Sequence, residues 1–311
     1  MLQKKTPGHD GEKTCIIIVG PTAVGKTSIA VQTAFHFNTK IISADSRQCF
    51  KELHIGVAKP SANELKQVEH YFINSHSIKD EMNAGLFEQY ALQKINEIFK
   101  VADVAVMVGG TGLYVRAFNY GINEMPVIDT AIREKIIADF EWEGLEWLQK
   151  EVEKKDPAYF ATGEIKNPQR LIRALEVKLS TGKSIIEFQT GQKKQRDFKI
   201  IKIGLELPKD QLHKNINNRV DTMMQAGLLN EVKKLEPYKK FNALQTVGYR
   251  ELFGHLIGDL TLEDAIEIIK INTRQYAKRQ MTWFKKDEEV IWCAPVFEKV
   301  LEKIYNHLQP A

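Results

Sequence analysis

The nine residues at 20–28, GPTAVGKTS, constrain this chain more than any others. Their spacing, Gly20, four residues, then Gly25-Lys26-Thr27, is that of a phosphate-binding loop. The apolar run at 15–19 precedes them and a helix-like pattern at 28–37 follows, which is the strand, loop and helix context that the motif requires. Glycines at 20 and 25 let the backbone curl so that successive N–H groups point at phosphate oxygens, with Pro21, Thr22, Ala23 and Val24 forming the arc between them. The helix N-terminus adds positive potential, Lys26 a mobile charge, and Ser28 begins the helix. Thr27 is placed to ligate a magnesium ion. An ordinary glycine turn accounts for some of these features but not for the set. The loop specifies a polyphosphate without saying which one.

The first strand reads as 14–19, and further buried strands at 40–44 and 104–108, with a helical pattern over 86–99 between these two, continue the β-α alternation of a parallel sheet. Ligands of such sheets gather beyond the carboxyl ends of the strands. Three segments therefore point at one place: 20–27, 45–48 and 109–112. Residues 199–207 (KIIKIGLEL) read as another strand, 211–235 and 262–285 as long helices on the same core, and 290–293 as a short closing strand. From 123 to 198 the pattern changes to charged, tryptophan-containing helical segments broken at Asp156-Pro157, Asn167-Pro168 and Thr181-Gly182. This predicts an all-helical insertion at 123–198 in an α/β core made of 1–122 and 199–311.

A chain of 311 residues, 43% of them hydrophobic, can bury a full core and has the length of about two domains. Cys15, Cys49 and Cys293 are far apart and form neither a disulfide framework nor a zinc site. The histidines show no metal-ligand spacing. No apolar run approaches the roughly 18 residues that span a bilayer, and the polar start at 1–13 lacks the apolar centre of a secretion signal. A cytoplasmic protein without membrane contact is expected, and a monomer. The net charge of +4 does not announce nucleic acid, but the basic residues cluster at 192–196 and 273–286. In the second stretch Tyr276, Trp283 and Phe284 alternate with Arg274, Lys278, Arg279, Lys285 and Lys286. Alone, it fits a solvated helix face with its aromatics turned to the core.

Asp45, at the end of the second strand, could hold magnesium as in nucleotide hydrolases or act as a base. The third strand ends in the neutral tip Gly109-Gly110-Thr111-Gly112. A carboxylate and a hydroxyl opposite a phosphate cradle suit the deprotonation or orientation of an acceptor while a phosphorylated donor is held.

Seven blocks then occur in a telling order: GPTAVGKTS, SADSRQCFKELHIGVAKP, VGGTGLYV, NPQRLIRALEV, NNRVDTMMQAGLLNEV, TVGYREL and TRQYAKRQMTWF. Together they resemble the bacterial tRNA dimethylallyltransferases, over most of the chain from 16 to 285. The resemblance implies a fold similar to P-loop nucleotide kinases. It implies transfer of a dimethylallyl group from its diphosphate to N6 of the adenosine just 3′ of the anticodon, in tRNAs that read codons beginning with uridine. The loop would then hold the donor's diphosphate with Mg²⁺, and Arg219 would be a further diphosphate contact. An arginine on a helix surface pairing with Asp221 or Glu231 is the competing role. Asp45 matches the family's base and Thr111 the threonine that orients the amine; a helix cap and a turn hydroxyl are their plainer alternatives.

An adenine must leave the stack to reach a buried carboxylate, so surfaces are needed to hold the anticodon stem-loop on both sides. The resemblance implies tRNA contacts from Asp45, Ser46, Arg47, Gln48, Thr111, Arg133, Gln169, Arg170 and Arg173. It implies others from Thr246, Gly248, Tyr249, Arg250, Arg274, Lys278, Arg279 and Gln280. The sequence departs from the family pattern at Cys49, Phe50 and Val57, where two hydroxyls are lost, and at 164–168. Two rival classes remain. One is a small-molecule enzyme, either a P-loop kinase or a prenyltransferase of free adenine nucleotides. The other is a nonenzymatic RNA-binding module.

Overall fold

The computed structural model describes residues 12–123, 125–189 and 191–308. Most of the polar start at 1–13 lies outside them. Contacts divide the chain into two units, Met1–Tyr120 with Gln195–Ala311, and Gly121–Lys194.

The first unit is a six-stranded sheet in the order β3-β2-β4-β1-β5-β6, parallel throughout. Its strands are β1 (Thr14–Val19), β2 (Ile41–Ser43), β3 (His70–Tyr71), β4 (Val104–Val108), β5 (Lys199–Leu205) and β6 (Val290–Cys293). β1 and β4 are buried along their whole length, as expected of central parallel strands covered on both faces. Between β1 and β2 runs α1 (Lys26–His36); α2 (Ala62–Gln67) precedes β3; α3 (Ala84–Phe99) precedes β4; and α4 (Gly112–Tyr120) follows it. Ile16 and Ile18 of β1 share a core cluster with Ile29 and Ala30 of α1.

The second unit holds α5 (Thr130–Lys155), α6 (Pro157–Thr162) and α7 (Pro168–Thr181) around its own core, which includes Leu148, Val152, Leu171 and Leu175. The Asp-Pro and Asn-Pro breaks are helix starts: Asp156 caps α6 and Asn167 caps α7, with proline at the first helical position. Gly182, at φ 75°, ends α7.

After β5 the first unit continues with α8 (Lys209–Gln225), α9 (Leu228–Leu235), α10 (Tyr249–Leu256), α11 (Leu262–Phe284) and, after β6, α12 (Phe297–Leu308). The single helix expected over 211–235 is two, because Gly227 at φ 97° turns the chain between α8 and α9. In the basic run at 192–196, Arg196 is a structural residue. It donates to the carbonyls of Ala117 and Phe118 at the end of α4 and pairs with Glu88 at 2.8 Å. Among the described residues no helix is long and apolar enough to cross a membrane. All three cysteines are free.

Candidate active site

β2, β4 and β1 are neighbours, so the loops leaving their carboxyl ends converge. The loop after β1 is held tightly. Gly20, at φ 143°, brings its α-carbon so close to β5 that a Cβ would lie 2.6 Å from the carbonyl oxygen of Leu205. Ala23, at φ 63°, sits in the left-handed region that non-glycine residues seldom occupy, a local strain of the kind found at ligand clamps. Gly25, at φ 99°, caps α1. Lys26 arcs back so that its Nζ donates to the carbonyl of Pro21 at 2.7 Å. Burial and the nearby Arg219 charge lower its pKa to about 7, against the pull of Asp45. Arg219, from α8, donates to Thr22 Oγ1 at 3.0 Å. Burial lowers its pKa too, opposed by Asp45 and Glu64.

Gln280, from α11, ties two of the loops together. Its Oε1 accepts from the Thr22 N–H at 2.8 Å and its Nε2 donates to the Gly110 carbonyl at 2.9 Å. Gly110 has no room for a side chain, since a Cβ would lie 2.2 Å from Gln280 Nε2.

Beyond β2, Asp45 is half-buried and its Oδ1 accepts from the N–H groups of Arg47 (2.9 Å) and Gln48 (3.4 Å). Its Oδ2 has no hydrogen-bond partner among the described residues. Thr111 Oγ1 accepts from the Ser46 N–H at 3.0 Å. Gln48 spends its amide internally, donating to the carbonyls of Val57 and Ala58 and accepting from Ser43 Oγ.

These groups surround a cavity of about 480 Å³. On one side lie Thr22, Ala23, Gly25, Lys26, Thr27, Ser28, Arg219 and Gln280; Asp45, Ser46, Arg47 and Gln48 come from β2's end, and Gly109 and Gly110 from β4's. The remaining wall is largely apolar, with Val57, Val220, Met223, Leu228, Val247 and Ile269. Sequence reasoning missed this wall, because an apolar residue on a helix reads as core whether it faces packing or a ligand.

The expected residues fall into three groups. Thr22, Ala23 and Gly25 to Ser28 of the loop, Asp45 and Arg219 are gathered at the cavity, and Thr246, Gly248 and Gln280 also line it, whereas Gly20, Pro21 and Val24 of the loop are buried and do not. Thr111 does not line it; its hydroxyl stands behind Ser46. Tyr249 is fully buried, its hydroxyl donating to Glu231 Oε1 at 2.6 Å; burial and the Glu231 charge push its pKa well above the usual phenol range. Arg274 donates to Asn217, while Arg250, Lys278 and Arg279 are exposed. Arg133, Gln169, Arg170 and Arg173 belong to the helical unit, where Arg170 pairs with Glu164.

Residues 48–287 match the IPP transferase family. The chain belongs to that family. The loop at 20–28 and Asp45 precede the matched residues, but relatives of the IPP transferase family span them. The tRNA dimethylallyltransferase of Christiangramia forsetii is 46% identical over 94% of this chain and 97% of its own. That of Cytophaga hutchinsonii is 47% identical over 91% and 93%. Among solved structures, the full-length tRNA isopentenylpyrophosphate transferase of Bacillus halodurans superposes with a TM-score of 0.70 at 35% identity, covering 96% of each chain. A eukaryotic dimethylallyltransferase acting on tRNA superposes with a TM-score of 0.74 at 27% identity, over 92% of this chain and 75% of the other. An IPP transferase is an alkyl-transferring enzyme, which sets aside the kinase and the nonenzymatic module.

Proposed function

We propose that the chain transfers the dimethylallyl group of dimethylallyl diphosphate to N6 of the adenosine immediately 3′ of the anticodon, in tRNAs reading codons that begin with uridine. The observation that carries this reading is the cavity's mixed lining: Lys26, Thr27 and Arg219 line the same cavity as Val57, Met223 and Val247. A donor with a charged head and a short branched apolar tail matches both kinds of lining. The named activities of the relatives support the same donor class and a tRNA acceptor.

Breaking the allylic C–O bond places negative charge on the departing diphosphate. Fixed donors aimed at that charge lower the barrier most. Lys26, Arg219 and the N–H groups at the start of α1 supply them. The Thr27 hydroxyl, half-buried in the first turn of α1, has no hydrogen-bond partner among the described residues and fits a Mg²⁺ ion. No cluster of three or more His, Cys, Asp or Glu side chains is present among the described residues to cage a metal. That suits magnesium, which is commonly bound through substrate phosphates and retains several waters. When bound there it neutralises part of the leaving group's charge.

Adenine N6 is a weak nucleophile because its lone pair is delocalised into the ring. Asp45, with one oxygen fixed by backbone N–H groups and the other without a protein partner, accepts the proton that the amine loses. Thr111 fixes the Ser46 backbone beside it. The helical insertion at 123–198, through Arg133, Gln169, Arg170 and Arg173, holds the RNA from one unit. Arg250, Arg274, Lys278 and Arg279 hold it from the other.

The test is incubation of the protein with Mg²⁺, labelled dimethylallyl diphosphate and unmodified tRNA, beside reactions with AMP, ADP or ATP. Label that maps to the adenosine next to the anticodon is the expected result. Label only in free nucleotide would replace the tRNA acceptor with a small one, and no transfer would refute the reading.

A further inference from the structure

In the helical unit, Glu176 is placed at a cost. Its side chain is fully buried on α7, whose Leu171, Ile172, Leu175 and Val177 are core residues. A carboxylate loses its hydration there, and replacing buried ion pairs by apolar residues of similar size is often neutral or stabilising. Stability of the unit therefore gives no reason for an acid at 176.

What the acid does is gather two cations. Its Oε2 accepts from Arg133 NH1 of α5 at 3.3 Å and from Arg173 NH1, three residues earlier on α7, at 3.2 Å. Its Oε1 lies 3.0 Å from the same Arg133 nitrogen without hydrogen-bond geometry. The two arginine side chains keep 50% and 36% of their surface exposed. Neither has another acceptor among the described residues. One carboxylate thus holds two guanidiniums by a single terminal nitrogen each, and most of their ten N–H donors remain available to an outside anion.

We propose that Glu176 is a positioning residue that makes Arg133 and Arg173 into one clamp for a single phosphodiester of the bound tRNA. The proposal rests on the tRNA reading given above. Two free arginines repel each other and lose rotamer freedom on meeting an anion, whereas a shared carboxylate offsets the repulsion and fixes both side chains beforehand. The triad keeps a charge of +1, and planar forks suit phosphate oxygens.

The sign of one substitution separates positioning from simple charge. Glu176→Gln keeps the shape and removes a negative charge. If only the field mattered, RNA would bind more tightly. Positioning predicts weaker binding, by about tenfold if one charge-assisted hydrogen bond is lost.

The experiment measures fluorescence anisotropy of a labelled, unmodified anticodon stem-loop with the full-length wild type, Glu176→Gln, Arg133→Ala/Arg173→Ala, and the combination of all three. Weaker binding by Glu176→Gln, with no further loss when both arginines are already absent, is the expected result. Binding as tight as the wild type or tighter would overturn the proposal. So would an equal loss without the arginines, since the effect would then be structural. A wild type that ignores the stem-loop would remove the tRNA reading itself, an outcome distinct from the other two. Trp147, packed against this unit's core, reports its folding by fluorescence. If Glu176→Gln loosens it, Glu176→Met, which extends the apolar core, is expected to fold and to bind as weakly.

Discussion

Asp45 and Arg219 share the cavity but have opposite tasks, and their substitutions separate them. Replacing Asp45 by alanine removes a proton acceptor and leaves Arg133, Arg170, Arg173, Arg250, Arg274 and Arg279 in place, at the cost of the acceptor for the Arg47 and Gln48 N–H groups. A fall in transfer of about 10²–10⁴-fold is expected, the usual worth of a positioned base, with tRNA affinity unchanged in a binding assay; equal loss of both would make Asp45 a binding residue. Arg219→Ala removes a charge that meets the leaving group, so about 10²–10³-fold in rate is expected, together with weaker inorganic pyrophosphate binding by calorimetry. A selective tRNA defect would contradict that role. The sequence left Arg219 open between the diphosphate and a helix-surface pair with Asp221 or Glu231. In the structure Asp221 pairs with Lys270 at 2.9 Å, and Glu231 accepts from the N–H groups of His54, Ile55 and Gly56. Helical spacing shows which neighbours are within reach along one helix. It does not show a partner such as Thr22, brought near only by the fold.

At the scale of elements, the strands were legible where burial is complete. β1 and β4 coincide with the expected runs at 14–19 and 104–108, because a strand covered on both faces is an unbroken apolar string. β3 was not legible, being two half-buried residues at the sheet's edge. The junction between elements is where the site is most exposed to change. Gln280 of α11 joins the loop after β1 to the tip of β4, and Gly110 leaves space for its amide. Gly110→Ala should push that amide away and leave the Thr22 N–H without its acceptor. A loss of about 1–3 kcal/mol in stability is expected from an orphaned part-buried donor, read by denaturant unfolding, along with weaker pyrophosphate binding. In a Gln280→Ala background the same glycine change should cost much less, because the two act through one contact. Full additivity would mean that the amide bridge is not what Gly110 protects.

For the whole molecule, a net charge of +4 on 311 residues is too small to draw RNA by its overall field. At physiological ionic strength that field is screened within about 8 Å. Affinity for a polyanion must come from cations placed against phosphates, each releasing a condensed counterion. Lys278 and Arg279 are exposed on α11, on the helix whose Gln280 and Tyr276 reach the cavity. The stretch alone fits a solvated face with its aromatics turned to the core; in the structure Ala277, Gln280 and Phe284 are buried, but Tyr276 and Trp283 are exposed along with the two cations. Removing both as Lys278→Ala/Arg279→Ala should lower tRNA affinity and flatten the slope of log K against log salt by about 1.4–1.8. Pyrophosphate binding should not change. The same change in formal charge made at Lys100, exposed just after α3, and Lys299, exposed on α12, should leave the slope as it is. An equal flattening there would show that the general field, rather than the face of α11, holds the RNA.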